Sequence, residues 1–352
     1  MNRYAGGDRK IVLFGDREVD ARELIARSYA RADDAVVVAG SIIEGIGSTL
    51  SDLDVYVIGA ARRSLLSIDP GRHDLLNPSA EDAGGELKEL FDYRGPADLA
   101  WNVEFWTAAE VQTVFAKVVR LCDEGKDRLH AAQPSRLSRS EKNLVHRLAS
   151  GTVIQGEGEI GRLLPTAPID EFCLVNFKEW LPSYHVFRDV AGAWSMRDYD
   201  LASLMLADLM ADQLFATTFL AGQTNPNKKW LLAKLRRMPP AYQELARAYA
   251  RYLNEGCGCE QDKANRILRG LDFLDDIFQA IRSLLIANAR FPSGEAGLAL
   301  VDADLNSCAD GQGPLPPELE HQRAYDRKAF AADGRRSRDL MLDVIRAAAS
   351  GA

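Results

Sequence analysis

Asp52-Leu53-Asp54 places two carboxylates two residues apart at the head of a run rich in β-branched and aromatic residues, Asp52 to Ile58, which reads as a strand. Residues i and i+2 of a strand share a face, so the two acids stand side by side, with Cα atoms roughly 7 Å apart. In a hydrophobic core such a pair is costly, because both charges are desolvated and repel each other. Facing a ligand, it is a seat for one or two divalent cations, which take oxygen ligands. Glu104 is the candidate third carboxylate, a lone acid between Val103 and Phe105 in the apolar strand Leu99 to Trp106.

Upstream lies Ala35 to Ala39 (AVVVA), a continuous apolar run expected of a buried strand, followed directly by Gly40-Ser41. Glycine lets a phosphate approach the backbone, and the serine hydroxyl and exposed amides donate to it. A helix starting there would add its N-terminal preference for anions. Ten residues separate Ser41 from Asp52, and Gly45, Gly47, Ser48, Thr49 and Ser51 leave them small and flexible enough to wrap a polyphosphate. Each part has a plain alternative: an ordinary turn, a solvated Asp-x-Asp strand edge, and for Glu104 the exposed face of an edge strand. In combination they form one device that holds phosphate beside a cation.

The combination resembles the nucleotidyltransferase superfamily typified by DNA polymerase beta. Its signature is Gly-Ser or Gly-Gly, a spacer of about ten residues, Asp-x-Asp between apolar residues, and a third acid on a later strand. Here these are Gly40-Ser41, Asp52-Leu53-Asp54-Val55 and Glu104, so the resemblance spans roughly residues 35 to 106. It implies Mg²⁺, with Mn²⁺ as a substitute, on Asp52, Asp54 and Glu104. It further implies a nucleoside triphosphate, ATP by default, oriented by Gly40, Ser41 and Ser51, and nucleotidyl transfer to a hydroxyl with loss of pyrophosphate. Asn225-Pro226-Asn227-Lys228-Lys229-Trp230-Leu231 is similar to the Lys-Trp-Leu element in the helical domains of aminoglycoside-type nucleotidyltransferases, which implies Lys228 and Lys229 at the triphosphate. Residues 226–251 carry seven Lys or Arg against one acid, Glu244. The alternative there is a solvated basic helix face. Glu44 is a general-base candidate by proximity in sequence alone.

The resemblance leaves three functions open. The first is nucleotidylation of a small-molecule hydroxyl. The second is nucleotidylation of a protein or tRNA by a toxin or regulator. The third is a catalytically silent nucleotide-binding module. The acidic balance favours the first: 43 Lys and Arg against 51 Asp and Glu give −8, without the positive surface that nucleic acid demands.

The elements that must position these residues follow from length and pattern. The 352 residues suit two domains, and 47% hydrophobic with 27% charged residues is a globular composition. The expected fold class is α+β: a nucleotidyltransferase domain with a small mixed sheet over residues 1–133, then an all-helical domain over 134–352. In the first, Ile11 to Phe14 reads as a strand, Ala21 to Ala32 as a helix, and Ser67 to Gly95 as a loop with one helix at Glu86 to Tyr93. After about residue 107 the strand signals stop. Helices are expected at Thr107–Leu121, Ser138–Ser150 (a capping box), Asp170–Asp189, Asp198–Ala221, Lys228–Arg236, Ala241–Glu255, Asp262–Ala289, Pro317–Ala331 and Arg335–Ala349, with a loop-rich stretch from Asn288 to Pro317. The apolar helical half offers a homodimer surface.

The remaining residues carry weaker signals. Cys257-Gly258-Cys259 reads as a turn with two free thiols, with zinc as the alternative. His185 sits in an aromatic cluster, Trp180 to Phe187, which is either core or an acceptor pocket. Asp170-Glu171 are either first-turn helix acids or recognise a cationic acceptor, and Asp275-Asp276 read as a solvated face. No apolar leader follows Met1, and Asp208 and Asp212 interrupt the most apolar stretch, so the expectation is a cytoplasmic protein without a membrane span.

Overall fold

A computed structural model describes residues 10–13, 17–78, 85–129, 136–156, 162–181, 184–288, 292–308, 314–332 and 334–350. The chain divides into two compact units, one of residues 1–119, 137–169 and 224–226, the other of 120–136, 170–223 and 227–352. The expected boundary at residue 133 lies outside the described residues.

The first unit opens with a hairpin, β1 (Lys10–Val12) and β2 (Glu18–Asp20), and a short helix, α1 (Ala21–Arg27). Then come β3 (Ala35–Ala39), β4 (Leu53–Gly59), β5 (Arg63–Ser64), β6 (Leu75–Pro78), β7 (Glu86–Asp92), β8 (Trp101–Thr107), α2 (Ala108–Glu124), α3 (Arg139–Ser150) and β9 (Thr152–Gln155). The described sheet has the order β5-β7-β8-β4-β3-β9, with β6 also on β7. β4 and β8 run parallel and the other pairs antiparallel, so the sheet is mixed as expected.

Alternation gives the sheet two characters. Val36, Val38, Leu53, Val55, Val57, Trp101, Val103 and Phe105 turn to one face and pack with Ile11, Val19 and Leu24 in a continuous core. Asp54, Tyr56, Asn102 and Glu104 occupy the intervening positions and turn to the other face. There α3 packs against β3. It starts with the predicted capping box, Ser138 and Glu141 each bonding the other's backbone.

Several elements depart from their sequence signals. Glu86 to Asp92 is a strand, not a helix. Leu87 and Leu90 are three apart, which imitates helical spacing. The register nevertheless pairs Pro78 with Leu87 and Asn77 with Glu89, so Lys88 is an extra, bulged residue and both leucines reach the core. Strand signals do not end at residue 107, because β9 pairs with β3; four residues are too few to show a period. α1 ends at Arg27, where Ser28 caps it and Tyr29 takes φ 55°. Phe14, the predicted end of the first strand, lies outside the described residues.

The second unit is helical: α4 (Ile169–Trp180), α5 (Tyr184–Ser195), α6 (Tyr199–Leu220), α7 (Leu231–Leu235), α8 (Pro240–Asn254), α9 (Glu260–Ala287), α10 (Gly294–Cys308), α11 (Pro317–Asp326) and α12 (Ser337–Ser350). α6 is apolar around most of its girth and packs against α5 and α9. The helix expected over Asp170 to Asp189 is two helices, and the sequence places Pro182 between them. The stretch Asn288 to Pro317 contains α10, whose Val301 and Leu305 are buried at helical spacing. No helix among the described residues is long and apolar enough to cross a membrane.

Candidate functional site

The site is built where β3 ends and β4 begins. Antiparallel pairing sets Ala39 opposite Asp54, so Gly40 leaves the sheet beside the Asp54 carboxylate. Gly40 has φ 107°, and a Cβ there would stand 2.6 Å from Asp54 Oδ2. Only glycine meets both conditions. No helix follows: residues 41–45 form turns, so the helix N-terminus anticipated after Gly40 is absent. The loop is instead folded on itself. The Ser41 carbonyl accepts from the Ile46 and Gly47 amides at 2.9 and 2.8 Å, and Ser51 Oγ accepts from the Ser48 amide at 2.9 Å. A Cβ on Gly47 would lie 2.8 Å from Ser51 Oγ and 2.9 Å from Ser41 Oγ, so these three residues touch.

Asp52 is exposed and makes no hydrogen bond or ion pair among the described residues. Asp54 is nearly buried, and one cation serves it: Arg147 Nη2 of α3, 2.8 Å from Oδ2. Burial pushes the Asp54 carboxyl up to about 6 against the pull of Arg147, and the negative charges of Asp52, Glu104 and Glu44 add to the rise. Glu104 stands two residue pairs further along β8, opposite Tyr56. Both its oxygens accept, Oε1 from the Tyr56 hydroxyl at 2.8 Å and Oε2 from Trp106 Nε1 at 3.1 Å. Burial raises its proton affinity even so.

Glu44 is not a free base. It accepts from His146 Nε2 at 2.9 Å, Arg147 Nη1 at 3.1 Å and Asn225 Nδ2 at 3.1 Å. Burial works to raise its pKa, but these donors bring it below the ordinary value. A carboxylate so engaged orients its donors; Glu44 holds Arg147 against Asp54, while His146 Nδ1 is fixed by Thr224 Oγ1 at 2.8 Å. His146-Arg147 had a signal in the sequence, a polar pair inside the apolar run Leu144-Val145-His146-Arg147-Leu148. Asn102 had one as well, since it lies two residues before Glu104 and so shares its face.

The sheet therefore brings together Gly40, Ser41, Asp52 and Asp54, with Glu104 in their electrostatic field. The donor set fits a divalent cation: one unpaired carboxylate beside a buried carboxylate surrounded by like charges. Among the described residues, however, no three His, Cys, Asp or Glu side chains converge on one metal position. Glu104 is committed to Tyr56 and Trp106.

The other candidates belong to the second unit. Lys228 Nζ pairs with Asp208 at 3.1 Å and Asp212 at 2.8 Å and lies over Trp180, so its charge is already met. Lys229 is exposed over Trp230. Asp170 and Glu171 occupy the first turn of α4. His185 is exposed, while its neighbours Tyr184 and Phe187 are core. Asp275 is no solvated acid: it accepts from Lys328 Nζ at 2.7 Å and from the Ser337 hydroxyl at 2.6 Å. Cys257 and Cys259 are free thiols.

No family profile matches the chain, and no curated protein matches it. Among solved structures, a nucleotidyltransferase-like protein from Exiguobacterium sibiricum 255-15 is similar over 82% of this chain and 87% of its own, at 11% identity and a TM-score of 0.35. A likeness at that distance carries no argument about what this chain does.

Proposed function

We propose that the protein is a nucleotidyltransferase. It moves a nucleoside monophosphate from a nucleoside triphosphate, ATP by default, to a hydroxyl of a small molecule. The observation that carries this reading is the approach of Asp54 to Gly40, with its carboxylate 2.6 Å from where a Cβ would stand. That approach joins the Gly40-Ser41 strand end and the candidate cation ligand in one place. A divalent cation held by Asp52 and Asp54, Mg²⁺ or Mn²⁺, supplies positive charge to the triphosphate and to the acceptor oxygen when bound.

The protein's own part is positioning and electrostatics. Gly40 lets the strand end close on the Asp54 carboxylate, and the folded loop of Ser41, Gly47 and Ser51 shapes the cradle. Arg147, oriented by Glu44, answers one oxygen of Asp54 and holds that carboxylate in place. Glu104, fixed by Tyr56 and Trp106, keeps the acceptor side of the face negative. The acceptor oxygen forms its bond to the α-phosphorus as the bond to the pyrophosphate oxygen breaks, and the hydroxyl proton passes to water. Lys228 has no part in this reading, because Asp208 and Asp212 already meet its charge. The net charge of −8 favours a small, cationic acceptor over a nucleic acid.

The test is incubation with Mg²⁺, each α-labelled nucleoside triphosphate and a cell extract, followed by separation of small molecules, RNA and protein, with Asp52→Ala/Asp54→Ala as control. Carboxylate-dependent label among small molecules is the expected result, and it names the base used. Label in protein or RNA would replace this acceptor class with a macromolecule. Tight triphosphate binding without any label would point to a silent binding module.

A further inference from the structure

Asn102 stands directly opposite Asp54 in the parallel register of β4 and β8, on the same face of the sheet. Neighbouring strands are about 4.8 Å apart, so the amide and the carboxylate are immediate neighbours. Asn102 Nδ2 donates to Glu89 Oε1 of β7 at 2.7 Å, and Glu89 Oε2 in turn accepts from Asn77 Nδ2 at 3.2 Å. These bonds fix which way the amide points. Its nitrogen is held by Glu89 of β7, and its oxygen is the end left over. That oxygen, Oδ1, is buried and has no hydrogen-bond partner. A buried amide oxygen without a partner is costly, and here the cost sits on the strand pair of the candidate metal ligand.

Resting on the nucleotidyltransferase reading of this site, we infer that Asn102 supplies the third protein oxygen to the cation held by Asp52 and Asp54, with Glu89 as the residue that positions the amide. Three observations converge on it. Both oxygens of Glu104 are already bonded. No third acidic, histidine or cysteine side chain among the described residues joins the aspartates. The one amide in register with Asp54 presents a buried, unused oxygen. Amide carbonyls are ordinary ligands of hard cations and add no charge of their own. The neutral ligand suits a face where four carboxylates, Glu44, Asp52, Asp54 and Glu104, already crowd one arginine.

The test is Mn²⁺ binding to the nucleotide-free protein, read by the loss of the free-ion signal in electron paramagnetic resonance. The proteins compared are wild type, Asn102→Ala, Glu89→Gln and Glu104→Gln, with Asp54→Asn as the site control and thermal melting as the check on folding. Removing a neutral residue changes no charge, so Asn102→Ala reports the lost ligand itself. It is expected to weaken Mn²⁺ about tenfold, the worth of one such oxygen contact, with Glu89→Gln intermediate and Glu104→Gln nearly unchanged. As a check on the wild-type side chain, carbonyl-¹³C asparagine labelling is expected to give a ¹³C coupling to bound Mn²⁺ that is lost in Asn102→Ala. Wild-type binding that Asn102→Ala leaves unchanged, or that Glu104→Gln weakens more, would overturn this assignment while leaving the nucleotidyltransferase reading intact. No Mn²⁺ binding by the wild type would overturn both.

Discussion

Two aspartates in this chain sit next to a second acid and against a buried cation, and they are treated in opposite ways. In the first unit Asp54 has Arg147 on one oxygen and three like charges around it. In the second unit Asp275 is fully served, by Lys328, by the Ser337 hydroxyl and by the Ser337 amide at 3.1 Å. Asp275 ties α9 to the start of α12, and Lys328 beneath it is 5% exposed. A carboxylate whose lone pairs are all answered by the protein is structural. On the nucleotidyltransferase reading proposed above, one left with surplus negative charge beside an exposed acid is held for a cation.

The contrast is broken or sharpened most strongly at Asp54. Asp54→Asn is expected to lower nucleotidyl transfer at least about a hundredfold, measured with any acceptor found by the labelling experiment, yet to leave the protein as stable or more so. Gly40→Ala comes next. The positive φ and the 2.6 Å approach to Asp54 Oδ2 make any side chain strained there. Transfer should fall about as far as a misplaced reacting group dictates, of the order of a hundredfold, with stability lowered by about 1–2 kcal/mol in urea unfolding. Asp275→Ala should show the reverse pattern: a loss of about 2–3 kcal/mol in stability, from an uncompensated buried lysine and two lost charged hydrogen bonds, with transfer per folded molecule retained.

A pH series separates the two aspartates more finely. The folded-state carboxyl of Asp54 is raised to about 6, so the native state binds its proton more tightly than the unfolded chain does. Its charge therefore opposes folding above that pH, and the penalty disappears as pH falls toward the unfolded value. In chelator-containing buffer Asp54→Asn should melt above the wild type at pH 7.5, and the gap should narrow as pH falls below about 6 and close only near the ordinary carboxylate value of 3.8. A gap that widens on acidification would mean that Arg147 over-compensates the carboxylate. The smallest effect is expected at Lys228. It is already paired with two acids, so Lys228→Ala should change transfer by no more than about threefold and stability by less than about 1 kcal/mol. A large loss of triphosphate affinity there would restore the phosphate role that its Lys-Trp-Leu context suggested.

The residues of the site differ in how plainly they showed in the chain. Gly40-Ser41 and Asp52-Leu53-Asp54 were legible because each demands a local backbone state: a strand end that no side chain tolerates, and an alternation that puts two acids on one face. Glu104 was legible as an oddity, an acid in an apolar strand, but not in its role. Its engagement with Tyr56 depends on β8 lying parallel to β4 in one particular register, while Trp106 lies two residues on in the same strand. The same register makes Asn102 rather than Glu104 the neighbour of Asp54. Arg147 lies about ninety residues from Asp54 in the chain, and only the packing of α3 on β3 brings it there. Glu44 was a base candidate by proximity in sequence alone, and the structure gives it donors from His146, Arg147 and Asn225.

The chain by itself determined what local physics encodes: β3, β4 and β8 from their apolar and alternating runs, the capped start of α3, the helical second half, and the pairing of a glycine turn with two acids. Tertiary structure alone decided the rest. The strand at Glu86–Asp92 exists because partners on both sides and a bulge at Lys88 outweigh residues that favour helix. Whether a carboxylate is free or answered was settled in the same way at Glu44, Asp54 and Asp275, because their partners come from elements far away in sequence, and burial without them is what shifts a charge's proton affinity.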